Sequence, residues 1–271
     1  MKPHVFILSY ERPMYLWATL DALYRNTLTN AHFVLLDNAS KDPGVRQVVE
    51  GFVRRGMLAE VEWGDTNDPQ RLEKAIDARR SELGERFFFV ENDVVVSSEV
   101  CWIEAYDRVA DQEREAGRSA GVVGSFCDPA DFPDVNHVKA LYPNASDKDI
   151  NFLAKSNSPE RGFEIPDTMD IWPDPDQHPP GRLIRVDCKA YDKVGFCGDA
   201  LFGRRLREAG YTTKVCTRFR HRHLSLMNAY DLDDADYAEK RRSFFSGLDR
   251  HSGSAKLSSL IRRVLNRMGW R

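Results

Sequence analysis

The sequence predicts an α/β fold built on a mostly parallel, Rossmann-like sheet with helices on both faces. Four short apolar runs have the length of buried strands and cover residues 4–8, 32–36, 58–63 and 86–90. Stretches with helical spacing of apolar residues separate these runs. Alternating strands and helices are typical of parallel sheets, because each parallel connection needs a crossover segment.

The helices between the strands follow from spacing and from their start signals. In "PMYLWATLDALYRNT", leucines recur at helical spacing behind a proline, which is favoured in the first turn of a helix. A second helix is predicted over residues 44–55 and a third over "DPQRLEKAIDARRSEL". These three helices connect the four strands in order.

The second half of the chain has a different amino-acid composition. Residues 128–181 hold nine of the thirteen prolines, which predicts a loop-rich segment. It is either a disordered surface loop or, since Phe152, Phe163 and Trp172 are interspersed, an ordered wall over a site. Regular structure resumes with a strand over 182–187 and a helix that ends at Gly210.

Composition excludes several classes of protein. The net charge of −3, from 39 basic and 42 acidic residues, gives no basic field for nucleic acid. No run of 18 apolar residues is present, and the first residues lack the pattern of a signal peptide. The five cysteines are scattered and suit reduced thiols. We therefore expect a cytoplasmic protein without a membrane-spanning helix.

Polar side chains follow the first, second and fourth strands, where ligands collect in parallel sheets. Most unusual is "FFFVENDVVV", in which Glu91 and Asp93 point to the same side if the backbone is extended. Two carboxylates on one face repel each other. A metal ion, a basic side chain or water at the strand end is therefore expected beside them.

Four segments in this order resemble GT-A fold glycosyltransferases, closest to the family-2-like group. They are "FILSYERPMYLWATLDALYRNT", "FVLLDNASKD", "FFFVENDVV" and "VGFCGDALFGRRLREAGYTTKVCTRFRHRH". Together they frame residues 4–98 and 182–225. The resemblance implies a GT-A fold with a loop-rich acceptor region and a C-terminal helical tail.

The resemblance also implies a site for Mn²⁺ or Mg²⁺. "FFFVENDVV" stands where the family has its D-x-D motif, so Asp93 is the best single ligand. Glu91 replaces the usual first aspartate and is a second ligand, a water-mediated one or a contact to the donor ribose. His221 or His223 completes the metal shell, and their spacing does not separate the two.

The nucleotide-sugar donor is implied to contact the strand ends. Asp37 would accept hydrogen bonds from the base or ribose, and a turn or helix-cap role is the structural alternative. Arg71 would approach the diphosphate, although most arginines in such places are solvated. The full predicted set is Ser9, Tyr10, Arg12, Asp37, Arg71, Glu91 and Asn92.

Asp199 is the predicted catalytic base. It follows Gly198 directly before a helix, where the helix dipole keeps a carboxylate ionised. Such a base would remove the proton of the acceptor hydroxyl during attack on the anomeric carbon. An ordinary N-cap is the structural alternative, and the two roles are compatible.

The predicted function is metal-dependent transfer of a sugar from a nucleotide diphosphate to a carbohydrate or glycolipid hydroxyl, with inversion. A retaining transferase, a nucleotidyltransferase and an inactive sugar-nucleotide-binding relative are the alternatives. Residues 1–98 are the expected donor half of the domain, 99–225 the acceptor and catalytic half, and 226–271 a helical extension.

The C-terminal segment 254–271 has five basic residues, no acidic ones and apolar residues at helical spacing. A basic amphipathic helix is a candidate for docking on an anionic membrane, which would place the protein on its inner face near a lipid-linked acceptor. Packing on the body of the protein or on a second subunit explains the same stripe.

Overall fold

The computed structural model describes most of the chain up to the end of the last strand. The described residues are 2–96, 100–131, 134–141, 143–144, 146–147, 150, 181–196 and 199–224. The aromatic residues predicted to form a wall, Phe152, Phe163 and Trp172, and the tail 254–271 lie outside them.

The first half alternates strands and helices, as the apolar pattern predicts. The strands are β1 (His4–Ser9), β2 (His32–Asp37), β3 (Leu58–Trp63) and β4 (Arg86–Glu91). The helices between them are α1 (Pro13–Asn26), α2 (Pro43–Arg54) and α3 (Arg71–Ala78). β2 pairs with β1 and β3, and β1 pairs with β4, all in parallel. The third helix is shorter than the predicted stretch.

The later elements extend the sheet on its other side. They are β5 (Val94–Val95), α4 (Trp102–Glu115), β6 (Ala120–Cys127), a 3₁₀ turn (Pro129–Asp131), α5 (Val135–Leu141), β7 (Leu183–Asp187), α6 (Cys188–Val194), α7 (Asp199–Glu208) and β8 (Thr212–His223). Within the described residues the strand order is β3-β2-β1-β4-β7-β6-β8-β5. β7 runs antiparallel to both β4 and β6, so the sheet is mixed.

The chain divides into two compact units. The first comprises residues 1–126 and 166–221, and the second comprises 127–165 and 222–271. In the first unit, alternate strand residues point to opposite faces: Val5 and Ile7 pack with α1 and α4, while Phe6 packs with α3, α6 and α7. The prediction of helices on both faces is therefore confirmed.

The second unit contains the 3₁₀ turn, α5 and the last residues of β8. Its described part includes a buried carboxylate, Asp131, which accepts hydrogen bonds from the side chain of Arg222 and the backbone N–H of His223. Lys139 and Asp147 form an ion pair at 3.6 Å. In the part of the chain that the structure describes, no helix is long and apolar enough to cross a bilayer.

Candidate functional site

Strand register brings the predicted strand-end residues to one edge of the sheet. Ser9 lies opposite Asp37 in the β1–β2 pair, and Leu8 lies opposite Glu91 in the β1–β4 pair. Asp37 in turn lies opposite Trp63. Because these strands are parallel, their carboxyl ends form a shared edge, which is where ligands bind in sheets of this kind.

The turn after β1 has a strained backbone. Glu11 and Arg12 have φ values of 54° and 60°, a left-handed conformation that is uncommon for residues other than glycine. Glu11 holds the turn: its N–H donates to Ser40 Oγ at 2.7 Å, and its carboxylate accepts from the N–H groups of Lys41 and Asp42 at 2.9 and 3.0 Å. The turn is thereby fixed to the loop after β2. Glu11 is not among the residues predicted from the sequence, because its role depends on this backbone conformation.

Arg12 is the basic side chain beside the acidic pair. Its Nη1 lies 3.5 Å from Asp93 Oδ2, and the Asp93 side chain is only 7% exposed. The Asn92 amide donates to the carbonyl oxygens of Tyr10 and Glu11 at 3.5 and 3.3 Å. The turns after β1 and β4 therefore contact each other, and one of the positive partners expected beside Asp93 is an arginine.

Asp37 is buried at the end of β2. Its Oδ1 accepts from the Ser40 N–H at 2.9 Å and its Oδ2 from the Ser40 hydroxyl at 2.6 Å. These are the contacts of a turn aspartate, the structural alternative stated above. The cap of α2 is a different residue, Asp42, which accepts from the Gly44 N–H. The role of Asp37 toward a nucleotide stays a prediction.

Asn38 was not among the predicted site residues, although it directly follows Asp37. It is buried, and its amide donates to Asn67 Oδ1 at 2.6 Å and to the Asp68 carbonyl at 3.2 Å. Its own Oδ1 accepts from the Asp68 N–H at 2.8 Å. Asn38 therefore joins the end of β2 to the loop that precedes α3. The sequence signal for Asn38 was its position, since it is a polar residue at the end of an apolar run.

Arg71, the first residue of α3, packs over the end of β3. A Cβ atom on Gly64 would lie 2.6 Å from Arg71 Nη1 and 2.9 Å from the Asp37 carbonyl oxygen, and the main-chain contact favours glycine there. The Gly64 N–H donates to the Asp37 carbonyl at 2.9 Å. The buried Nε of Arg71 has no hydrogen-bond partner among the described residues. Arg71 thus lies close to the main chain of Asp37 rather than fully in solvent.

Ser9 and Tyr10 differ in accessibility. Ser9 is completely buried, and within the described part of the chain its hydroxyl lacks a hydrogen-bond partner. Tyr10 is 41% exposed. The exposed ring of Tyr10, beside the end of β1, is able to stack against a planar base. The buried hydroxyl of Ser9 contacts a ligand only if ligand atoms come close to the main chain.

His221 belongs to a buried hydrogen-bond chain in the first unit. The Tyr106 hydroxyl donates to the Leu183 carbonyl at 3.0 Å and lies 2.7 Å from Ser125 Oγ, which lies 2.9 Å from His221 Nδ1. Tyr106 has one proton and donates it to Leu183, so Ser125 donates to Tyr106 and accepts from Nδ1–H of His221. This chain assigns the Nδ1–H form to a neutral His221.

His223, in the second unit, ends β8. Its backbone N–H donates to Asp131 Oδ2 at 2.8 Å, and Arg222 Nε donates to Asp131 Oδ1 at 2.5 Å. Burial raises the pKa of Asp131, while these two hydrogen bonds act in the opposite direction. The strand end that carries His223 is therefore fixed through its main chain.

Asp199 is the first residue of α7, so its predicted position at a helix start is confirmed for the backbone. The structure does not describe its side chain. Its predicted role as a base stays a prediction.

A scan against protein-family models and a search of curated proteins find no match. Solved structures do match. The mannosyltransferase PcManGT from Pyrobaculum calidifontis, in complex with GDP-Man and Mn²⁺, has a TM-score of 0.52 at 16% identity over 80% of this chain. GalNAc-T7 with UDP, GalNAc and Mn²⁺ has a TM-score of 0.52 at 14% identity over 82% of this chain. TarS 1-349 from S. aureus, in complex with UDP, has a TM-score of 0.50 at 15% identity over 95% of this chain.

The chain has the GT-A fold. It spans 57% of the mannosyltransferase chain and 43% of the GalNAc-T7 chain, so it covers less than two thirds of these GT-A proteins. It spans 73% of the TarS fragment. The matches to these structures confirm the predicted fold class.

Proposed function

We propose that this chain is a metal-dependent glycosyltransferase that moves a sugar from a nucleotide diphosphate to a hydroxyl of a carbohydrate or lipid-linked acceptor, with inversion. The observation that carries the proposal is the acidic pair Glu91 and Asp93 at the end of β4, beside Arg12 at the carboxyl edge of a GT-A sheet. The ligands of the matched structures support the same chemistry: the mannosyltransferase holds GDP-Man and Mn²⁺, GalNAc-T7 holds UDP, GalNAc and Mn²⁺, and TarS 1-349 holds UDP.

The donor set fits a divalent cation. Carboxylate oxygens suit Mg²⁺ and Mn²⁺, and Mn²⁺ also accepts imidazole. We propose Glu91 and Asp93, both in the first unit, as the carboxylate ligands, and an imidazole from His221 or His223 as a third ligand. Nδ1–H of His221 donates to Ser125, which leaves Nε2 of this ring with a lone pair for a cation. When bound, the cation neutralises charge that develops on the diphosphate leaving group.

The residues around the pair suit a nucleotide diphosphate. Arg12 is always charged, and its guanidinium is able to donate two parallel hydrogen bonds to phosphate oxygens. Arg71 adds a second guanidinium near the ends of β2 and β3. Tyr10 offers an exposed ring, while Asp37 and Asn92 order the loops around it.

Asp199 is the proposed base. In the transfer step the acceptor oxygen forms a bond to the anomeric carbon, and the bond between that carbon and the diphosphate oxygen breaks. The hydroxyl proton moves to the Asp199 carboxylate. A single displacement of this kind inverts the anomeric centre. The anomeric configuration of the product, measured by NMR, distinguishes it from the retaining alternative.

The deciding experiment is a transfer and donor-hydrolysis assay over a panel of nucleotide sugars with Mn²⁺. Asp93→Asn should nearly abolish both reactions in a folded protein, because a charged ligand to the cation is lost. Asp111→Asn, an exposed carboxylate on α4, is the matched control and should keep full activity. Full activity of folded Asp93→Asn protein would remove the metal assignment. Donor binding without any turnover in the wild type would instead indicate an inactive relative.

The basic C-terminal segment 254–271 supports the proposal of a lipid-linked acceptor. Docking of the basic segment 254–271 on anionic lipid would bring the protein to a lipid-linked acceptor. Deleting this segment should then weaken lipid binding without abolishing it and spare activity on a soluble acceptor. A change of oligomeric state or loss of folding on deletion would assign the segment to packing instead.

A further inference from the structure

The outer surface of α1 and α2 carries an unusual number of exposed apolar side chains. Among the described residues, five of the six large hydrophobic side chains with high exposure lie on these helices or just after α1: Met14 (76%), Trp17 (44%) and Tyr24 (49%) on α1, Val53 (45%) on α2, and Leu28 (79%) two residues beyond the end of α1. The sixth, Tyr10, directly precedes the same region. We call this set of five residues, with the groove between the two helices, the α1–α2 face.

Helix α1 has two apolar stripes. The inner stripe, Leu16, Leu20 and Leu23, is completely buried in the core. Met14 and Trp17, three residues apart, lie outside this buried stripe, where a surface helix normally carries polar residues. A groove of about 620 Å³ between α1 and α2 is lined by Trp17, Phe52 and Arg55 among others. The outer stripe is therefore not required by the core of the described fold.

The charge of this surface is positive. The two helices and the next residue carry four arginines, Arg25, Arg46, Arg54 and Arg55, and two acids, Asp21 and Glu50, an excess of two positive charges. Arg25 is 69% exposed and donates to Asp21 at 2.7 Å. Arg55 stacks over the Phe52 ring at 4.6 Å. Arginines thus border the apolar stripe with their charged groups near solvent.

We propose that the α1–α2 face docks on a membrane surface that contains anionic lipid. Tryptophan, tyrosine and arginine beside apolar residues are the set that favours a lipid–water interface. A second copy would bring two positive surfaces together, and the tail 254–271 has only basic charges, so both are electrostatically disfavoured as occupants. On α1 the exposed apolar residues run from Met14 to Tyr24, a length of about 15 Å at 1.5 Å per residue, which suits a flat surface.

Docking of the α1–α2 face would place the membrane near the candidate site. α1 begins at Pro13, next to Arg12, which contacts Asp93. A membrane along α1 would therefore lie beside the strand-end edge of the sheet. This inference is separate from the transferase proposal, because it concerns lipid binding and needs no activity.

The test is co-sedimentation of the full chain with vesicles of phosphatidylcholine alone or mixed with phosphatidylglycerol. The protein should bind the anionic vesicles and not the neutral ones, with binding lost at high salt. Trp17→Glu and Arg54→Glu should each weaken binding by about tenfold or more, since each removes a favourable interfacial group and adds a negative charge. Arg114→Glu, a 71% exposed arginine on α4, is the control and should bind like the wild type.

Three results would overturn the proposal: equal binding to neutral vesicles, unchanged binding of both folded variants, or complete loss of binding when only 254–271 is removed. Size-exclusion chromatography with light scattering, which measures the oligomeric state, is a further part of the test. A dimer in the wild type that Trp17→Glu converts to a monomer would assign the face to a second copy. Met14→Gln, at the most exposed position on α1, replaces Trp17→Glu if that variant does not fold.

Discussion

Glu113 illustrates, at the scale of single residues, how a buried carboxylate is stabilised in this protein. It is 1% exposed and accepts from Arg118 Nε and Nη2 at 2.9 and 2.6 Å and from the Thr212 hydroxyl at 2.9 Å. Lys214 lies 3.6 Å away. The hydrogen bonds from Arg118 hold the pKa of Glu113 below its ordinary value, against the effect of burial.

The pH dependence of stability follows from this lowered pKa. The stabilising contribution is present above the unfolded pKa of a glutamate, about 4.3, and is lost as the pH falls through the folded value. Glu113→Gln should lower the free energy of unfolding by about 2 kcal/mol at pH 7, and the difference from the wild type should shrink below about pH 4. Urea unfolding at both pH values measures it.

Glu115→Gln, an exposed glutamate two residues further along α4, is the control and should change the unfolding free energy little. A difference between Glu113→Gln and the wild type that stays constant down to pH 3 would show that the charge of Glu113 is not its source.

Substitution of Asp199 tests whether this residue acts in the transfer step rather than in donor binding. Asp199→Asn should bind a nucleotide-sugar donor as well as the wild type and lose roughly 10²-fold in turnover, the usual scale for a general base. Calorimetry gives the donor affinity and an initial-rate assay gives turnover. Glu208→Gln, at the far end of the same helix, is the matched control. Normal turnover of Asp199→Asn would leave this residue with a helix-cap role alone.

Sequence predicts those site residues whose position follows from local pattern. Asp37, Glu91 and Asp93 stand out because each follows or interrupts an apolar run. Ser125 and His221 are 96 positions apart, and no local pattern indicates that their side chains meet. Contacts over such separations arise from strand order, which a single sequence does not reveal.

At the scale of elements, β8 is held along its length by side chains of other elements. The Tyr106–Ser125–His221 chain joins α4, β6 and β8 in the buried interior of the first unit. Buried polar groups are costly when they lose a partner, because they remain removed from water. The chain therefore favours one register of β8 over others.

Ser125→Ala should lower the free energy of unfolding by about 1–3 kcal/mol, since the hydroxyl of Tyr106 and Nδ1 of His221 each lose a partner. Tyr106→Phe should have a loss of similar size. The double variant should lose less than the sum of the two, because both single changes break the same contact. Urea denaturation of the four proteins measures the coupling.

Ser119→Ala, an exposed serine just before β6, is the control and should leave stability nearly unchanged. Additive losses in the Tyr106 and Ser125 cycle, within about 0.3–0.5 kcal/mol, would mean that the two hydroxyls act independently.

Elements were predictable where the periodic pattern is strong. β1 to β4 are short apolar runs, and α1 to α3 fill the gaps between them. α4 and β6 are not among the elements predicted from the sequence, although Trp102, Tyr106 and Val109 recur at helical spacing in α4. β6 contains Gly121, where a Cβ would lie 2.7 Å from Leu206, so this glycine serves helix packing rather than a turn. Such a role depends on tertiary contacts.

At the scale of the whole molecule, the prediction of a mostly parallel GT-A sheet is confirmed, but its strand order was not predictable. β7 comes after the long proline-rich segment and inserts between β4 and β6 in antiparallel orientation. The division of the chain into donor half, acceptor half and tail stays a prediction. The proposed activity depends on whether the edge formed by β1, β2 and β4 binds a nucleotide through a cation.

Thermal unfolding of the chain with Mn²⁺, with UDP or GDP, and with both together tests this directly. If a nucleotide binds through the cation, the joint rise in Tm should exceed the sum of the separate rises. With ligand at 100 times its Kd, the gain of about 2.7 kcal/mol corresponds to about 5–10 °C. Asp93→Asn should lose the joint rise, and Asp111→Asn should keep it. A nucleotide-induced rise that is the same with and without Mn²⁺, or that survives in Asp93→Asn, would contradict the proposed site.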